Sequence, residues 1–230
     1  MSYKVEYKNK EIFEKFNNIG CVSFGTIDNG YPEARIAHFL TYDDEGLYFM
    51  TMRSKPFYRQ LKENSKVSAC GMAASATQSS HDENGMSLFQ PGYTFRVSGD
   101  VKEISFEELK AKASKDKSFI SCIKDVEKYN DMTTFCLYKG KGEIFDYDFE
   151  MTNRENKIQR QKFTFGKKEL PFRGVVISDK CIGCNKCFKN CTFKAITITE
   201  DKKCKIDVNK CDVCGTCILG CPVNAIETIQ

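Results

Sequence analysis

The chain has 230 residues, 41% hydrophobic and 29% charged, a composition that excludes disordered and fibrous classes. Its formal charge of +4 is divided unevenly: −3 over residues 1–150, +4 over 151–172 and +3 over 173–230. This short basic stretch is not a basic-aromatic surface, which argues against nucleic-acid binding, and no run approaches the eighteen or so apolar residues of a membrane helix. Residues 1–10 are polar, without the apolar segment of a signal peptide. A cytoplasmic protein is the expectation, with Cys21, Cys70, Cys122 and Cys136 as reduced core residues in apolar surroundings.

Residues 1–150 read as mostly strand. Residues 11–18 carry Ile12, Phe13 and Phe16 at helical spacing. Residues 21–27 and 34–42 are apolar-rich runs joined across Asp28-Asn29-Gly30, a hairpin signal. A strand over 46–52 follows a second turn. Ser54 is placed to cap a helix through Leu61, with Pro56 in its first turn. Residues 67–73 are the next strand, and 75–91 a polar loop containing a solvated His81. A long strand over 93–104, a helix in two pieces over 106–128 and a strand or hairpin over 133–148 complete the region. Short strands at regular intervals with few helices predict a barrel rather than a parallel sheet.

Several short stretches of this region form an ordered series. The hairpin ends in Pro32-Glu33-Ala34-Arg35. Then come Tyr42-Asp43-Asp44-Glu45-Gly46-Leu47-Tyr48-Phe49-Met50-Thr51, Ser54-Lys55, and Gln60-Leu61-Lys62-Glu63-Asn64. In combination this resembles the pyridoxamine 5'-phosphate oxidase-like, FMN-binding split-barrel family. The resemblance implies FMN at the interface of a homodimer. It carries Arg35, Thr51, Ser54 and Lys55 across as phosphate-side contacts. Ile36, Ala37 and His38 become backbone and ring-edge contacts to the isoalloxazine, with Gln60 a further candidate. The residues themselves agree: a flavin phosphate wants backbone N–H groups at a helix start plus a cation. Arg53, Ser54 and Lys55 sit at such a start, and Arg35 adds a second cation. Each also has an ordinary reading: solvated charges for Arg35 and Lys55, an N-cap for Ser54, a common strand residue for Thr51, a structural histidine for His38. Their joint order sets them apart.

Residues 151–172 are expected to be a basic connector, with Arg154, Lys157, Arg160, Lys162, Lys167 and Lys168. It reads as a solvated linker, as a segment that lays Arg160 near a partner's flavin, or as a salt-sensitive contact for an acidic redox protein.

Residues 173–230 hold two copies of C-x2-C-x2-C-x3-C: Cys181, Cys184, Cys187, Cys191 and Cys211, Cys214, Cys217, Cys221. This is the ligand run of a protein with two [4Fe–4S] clusters. Three closely spaced thiolates wrap three corners of one cube, and the fourth comes from the other run. One cluster is therefore expected on Cys181, Cys184, Cys187 and Cys221, and the other on Cys211, Cys214, Cys217 and Cys191. Zinc sites use pairs of C-x2-C and four ligands in all, and a disulfide framework needs an oxidising compartment and usually a short secreted chain. Lys180-Cys181 aligns with Lys210-Cys211, and Ala195-Ile196 with Ala225-Ile226, at an offset of 30. The repeat predicts strands over 174–178, 196–199, 205–208 and 226–229, and resembles bacterial two-[4Fe–4S] ferredoxins. Thr192 stands where that family's first run usually has proline. Cys204 reads as a small strand residue rather than a ligand. Each oxidised cluster with its thiolates adds about −2, leaving the chain near neutral.

The fold expected is α+β: a split barrel over 1–150, the connector over 151–172, and a pseudo-twofold ferredoxin domain over 173–230. Two functions follow. One is an FMN- and iron–sulfur-dependent oxidoreductase, served by a redox partner protein or a nicotinamide donor and reducing a small acceptor. Related split-barrel proteins include nitroimidazole-reductase-like and flavin-reductase-like members. The other is a flavin-containing ferredoxin that only carries electrons between enzymes. An open, partly apolar pocket above the flavin favours the first.

Overall fold

The computed structural model describes residues 5–74, 80–81, 83–85, 87–88, 92–146, 159–167 and 174–229. Helix α1 (Asn9–Ile19) buries Ile12 and Phe16, one turn apart, and ends at Gly20 with φ 76°. Strands β1 (Val22–Asp28) and β2 (Tyr31–Ala37) form the expected hairpin. Its turn residues Asn29 and Gly30 sit at φ 49° and 86°, the left-handed pair that matches strand twist. The expected strand over 34–42 is divided. Between β2 and β3 (Thr41–Tyr42), Phe39 turns inward and packs its ring 4.9 Å from Phe24 and 5.1 Å from Phe16.

After β4 (Leu47–Met52), helix α2 runs over Pro56–Asn64. Its N-cap position is Lys55, not Ser54. The Ser54 backbone N–H and hydroxyl are both bonded to the Asp131 carboxylate, which removes Ser54 from the capping role. Strand β5 (Lys66–Ala74) follows. The expected polar loop lies largely outside the described residues, apart from a short pair, β6 (Ser80–His81) and β7 (Ser87–Leu88); the His81 side chain is not described. Strand β8 (Gly92–Ile104) leads to α3 (Phe106–Ala113), capped by Ser105, a 3-10 turn (Lys117–Phe119), α4 (Ile120–Lys128) and β9 (Met132–Asp146).

One large antiparallel sheet has the order β2-β1-β5-β8-β9-β4-β3. The fifteen-residue β9 pairs with β8 along one edge; its other edge is shared by β4 on its first half and β10 (Gln159–Phe165) on its second. Residues 159–165, expected within a connector, thus form a strand of this sheet. Phe163 and Phe165 are fully buried, and Phe163 stacks on Tyr7 at 4.0 Å and on Phe95 at 5.4 Å. Gly142 makes this possible: a Cβ there would stand 2.2 Å from the Phe163 ring. Residues 151–158 and 168–172 lie outside the described residues. The sheet encloses a core of Phe16, Phe24, Phe39, Phe49, Phe57, Phe95 and Phe135 with aliphatic neighbours. A second core, with Tyr48, Leu109, Phe119, Cys122 and Cys136, packs α3 and α4 on its far side, whereas Cys21 and Cys70, expected in a core, are exposed.

Residues 174–229 form strands β11 (Gly174–Ile177), β12 (Ile196–Ile198), β13 (Cys204–Ile206) and β14 (Ile226–Ile229), with one-turn helices α5 (Lys186–Lys189) and α6 (Thr216–Leu219). Pairing crosses the repeat: β11 pairs with β14, and β12 with β13. The repeat extends to the backbone. Gly183 and Val213 share positive φ (71° and 62°), as do Asn185 and Gly215 (59° and 78°) and Lys194 and Asn224 (47° and 50°). No helix among the described residues is long and apolar enough to cross a membrane.

Candidate cofactor sites

The first site is a cleft of about 730 Å³ between β2, β4 and the start of α2. Arg35, Ile36, Ala37, His38, Thr51, Lys55 and Gln60 all line it, so these seven sequence candidates share one surface. Arg53 and Ser54 do not. Arg53 is turned to Glu103 (3.3 Å) and the Met132 carbonyl (3.4 Å), and Ser54 to Asp131.

Arg35 anchors the cationic end. Its guanidinium donates to the Thr26 hydroxyl (2.5 Å) and the Gln60 side-chain oxygen (2.8 Å), and lies 4.4 Å from the Phe57 ring centroid. Gln60 is 2% exposed; it also accepts from Thr26 (2.6 Å) and donates to Asp28 (3.1 Å). Asp28 in turn accepts from Arg59 at 2.7 Å, and this bond with that from Gln60 holds its carboxyl below the usual range. Thr26 alternates inward on β1, and α2 brings Gln60 beneath β1 and β2. Thr26, Asp28 and Phe57 were not among the sequence candidates; alternation along β1 is the one local signal that points to Thr26. Lys55 and His38 are exposed, and Leu40, Met50, Met52, Phe57 and Met132 supply an apolar wall.

The second site is the cysteine layer. One small cavity brings Cys181, Cys184, Cys187 and Cys221 together, with Cys204 beside them. In the second group Cys191, Cys211, Cys214 and Cys217 lie close enough for their thiols to act on one another: burial first, then Cys211, Cys214 and Cys191, push Cys217 up to about 11. Each group thus contains the fourth cysteine of the other run. The crossed strand pairing explains this, because β14 returns to β11 and carries Cys221 across to the first loop. Backbone N–H groups point at sulfur: Ala225 to Cys221 (3.2 Å), Ala195 to Cys191 (3.4 Å) and Val213 to Cys211 (3.4 Å). Backbone N–H groups of Cys204 and Gly183 lower Cys181. Such donors favour thiolates, the form that ligates iron. Among the described residues no three of His, Cys, Asp and Glu converge on a single metal ion; a cubane spreads its thiolates over four corners instead. Cys204 is buried and its thiol is 3.4 Å from the Asn185 side-chain oxygen.

The two parts touch at β10. The Lys162 backbone N–H donates to the Asn209 carbonyl (3.3 Å), and Arg160 forms ion pairs with Glu143 and Asp212. Arg160, for which a place near a partner's flavin was one of three readings, is engaged by Glu143 and Asp212 of its own chain.

Residues 9–137 match the pyridoxamine 5'-phosphate oxidase family. The chain belongs to that family. Residues 180–225 match the 4Fe-4S dicluster domain. The ferredoxin part is similar to a component of the ion-translocating oxidoreductase complex of Methanosarcina acetivorans, 51% identical over 47 residues, which is 20% of this chain and 17% of that protein. It is also similar to the PorD component of pyruvate synthase from Methanocaldococcus jannaschii, 37% identical over 59 residues, 26% of this chain and 69% of that protein. Among solved structures, a NimC/NimA family protein from Clostridium acetobutylicum is 16% identical, covering 68% of this chain and 91% of that one with a TM-score of 0.46. This pyridoxamine 5'-phosphate oxidase family member therefore joins a split barrel to an iron–sulfur ferredoxin domain, whose relatives include subunits of an ion-translocating oxidoreductase complex and of pyruvate synthase.

Proposed function

We propose that the chain is an oxidoreductase in which two [4Fe–4S] clusters and one FMN exchange electrons, with a small molecule as the final acceptor or donor. The observation that carries this reading is the junction at β10. A carrier with two independent parts needs no fixed contact, whereas here a backbone hydrogen bond and an ion pair hold the Cys211 loop against the barrel. Bound to these sites, the clusters supply one-electron chemistry and the flavin one- or two-electron chemistry.

The residues fit those groups. Cys181, Cys184, Cys187 and Cys221 would hold one cluster, and Cys211, Cys214, Cys217 and Cys191 the other. Arg35 and Lys55 would meet the flavin phosphate, with Thr51 beside them; Thr26 and Gln60 keep the Arg35 fork aimed. Met50, Met52, Phe57 and Met132 offer an apolar wall for the ring, beside Ile36, Ala37 and His38. The cleft's volume and apolar wall favour the enzyme over the pure carrier. The edge strand β2 exposes Tyr31 and Ile36 next to the cleft, which supports a homodimer closing over it. A cytoplasmic setting agrees with thirteen cysteines, all unpaired among the described residues.

Anaerobic purification with iron, sulfide and flavin counts, then a reductive titration, tests the reading. About eight irons and one FMN per chain support it. A chain that takes up no flavin on reconstitution overturns the split-barrel half, and one without iron overturns the cluster half.

A further inference from the structure

The ferredoxin part repeats at an offset of 30, so each position on one cysteine loop has an equivalent on the other. The barrel engages the second loop: Asp212 pairs with Arg160, and the Asn209 carbonyl accepts from the Lys162 backbone N–H. The equivalent of Asp212 on the first loop is Ile182, an apolar side chain left 65% exposed. Phe188 is 44% exposed, whereas its equivalent, Ile218, packs against the ferredoxin core. Charge differs as well. Residues 180–191 carry Lys180, Lys186 and Lys189 and no carboxylate, while residues 210–221 carry Lys210 and Asp212. All three first-loop lysines are exposed; Lys180 reaches Glu227 at 4.0 Å, a contact too open to water to neutralise it. This face opens on the cysteine layer. Ile182 and Lys186 line the cavity that gathers Cys181, Cys184, Cys187 and Cys221.

We propose that the first-loop face, with Ile182 and Phe188 among Lys180, Lys186 and Lys189, docks an acidic protein that carries single electrons. The inference names the redox partner of the function proposed above and rests on its cluster half. Lysines around exposed apolar side chains steer an acidic partner in and discourage basic ones, and Ile182 and Phe188 supply contact area. One electron passes from the reduced carrier to one cluster, so the carrier is oxidised as the cluster is reduced and no bond is made or broken. The reverse transfer balances in the same way. Docking here does not compete with the barrel, which meets the other loop.

The test uses the full, cluster-loaded chain, with iron counted in each variant, and an acidic plant-type [2Fe–2S] ferredoxin as the probe. Isothermal calorimetry reads binding, and anaerobic stopped-flow reads electron exchange. Wild type is expected to bind the probe with an affinity that falls as salt is raised. Lys189→Glu and Ile182→Ser should each weaken binding about tenfold and slow exchange in step. Lys210→Glu makes the same change of net charge on the second loop and should stay within about twofold of wild type. Photoreduced deazaflavin, a small neutral reductant, should reduce every variant at the wild-type rate, since it needs no docking face. Absent binding, binding indifferent to salt, or equal losses in Lys189→Glu and Lys210→Glu overturn the proposal. A wild type with about eight irons that gives any of these results sinks this inference alone; a wild type without iron sinks the cluster reading as well.

Discussion

Arg35→Gln is the perturbation that most directly probes the cleft. The native guanidinium makes two hydrogen bonds, to Thr26 and Gln60, and covers the Phe57 ring. Its loss leaves the fold largely served, because Thr26 still donates to Gln60 and Gln60 still donates to Asp28. The stability cost is then about 1 kcal/mol, from the hydrogen bonds and the cation–ring contact together, or about 2–4 °C in melting temperature. The effect on a bound phosphate is larger: a hydrogen bond to a charged group contributes about 1.5–3 kcal/mol, so FMN affinity should fall about 10- to 150-fold. Arg35→Lys keeps the charge without the fork and should fall between. Fluorescence titration of FMN into the flavin-free chain, beside thermal melts of that chain, separates the two effects. FMN binding within about twofold of wild type in Arg35→Gln, at unchanged stability, refutes the assignment of the cationic end.

Other outcomes follow from particular contacts. Phe163→Ala removes a fully buried ring from between Tyr7 and Phe95 and should destabilise the chain by about 3–5 kcal/mol, read by urea unfolding; a loss under about 1 kcal/mol would mean β10 is not part of the barrel. Cys204→Ala should leave the iron count unchanged while Cys221→Ser lowers it, since Cys204 is surplus to the four thiols in that cavity. Burial alone would raise Glu45, but hydrogen bonds from Lys102 and Lys112 win and hold it at about 2. A lowered carboxyl stabilises the fold above its unfolded value and loses that contribution as pH falls toward about 2. Wild type should therefore exceed Glu45→Gln by about 1 kcal/mol near neutrality, after allowing for solvent screening, with the gap closing between pH 4.5 and about 2 in paired melts.

Much of this was legible in local sequence. The cysteine runs were readable because their ligands lie within a few residues of one another, and the Asn29-Gly30 turn because its backbone demands those residue types. Seven of the nine expected flavin contacts share a cleft because strand alternation and the helix start are short-range facts. Arg53 and Ser54 departed from expectation for a long-range reason: Glu103 and Asp131, far along the chain, claim them. The connector departed for the same kind of reason. Its lysines and arginines suggested solvent, yet Phe163 finds a notch that only Gly142 of β9 leaves open.

The sequence by itself determined what kinds of chemistry the chain holds: thiolates at cluster spacing and cations opening a helix beside a hairpin. Tertiary structure alone decided how these meet. The crossing of β11 with β14 exchanges the fourth cysteines, and β10 seats one cluster loop on the barrel. Spacing along the chain is fixed by covalent geometry, whereas the meeting of distant segments depends on which buried surfaces fit, and that is not written in any local stretch.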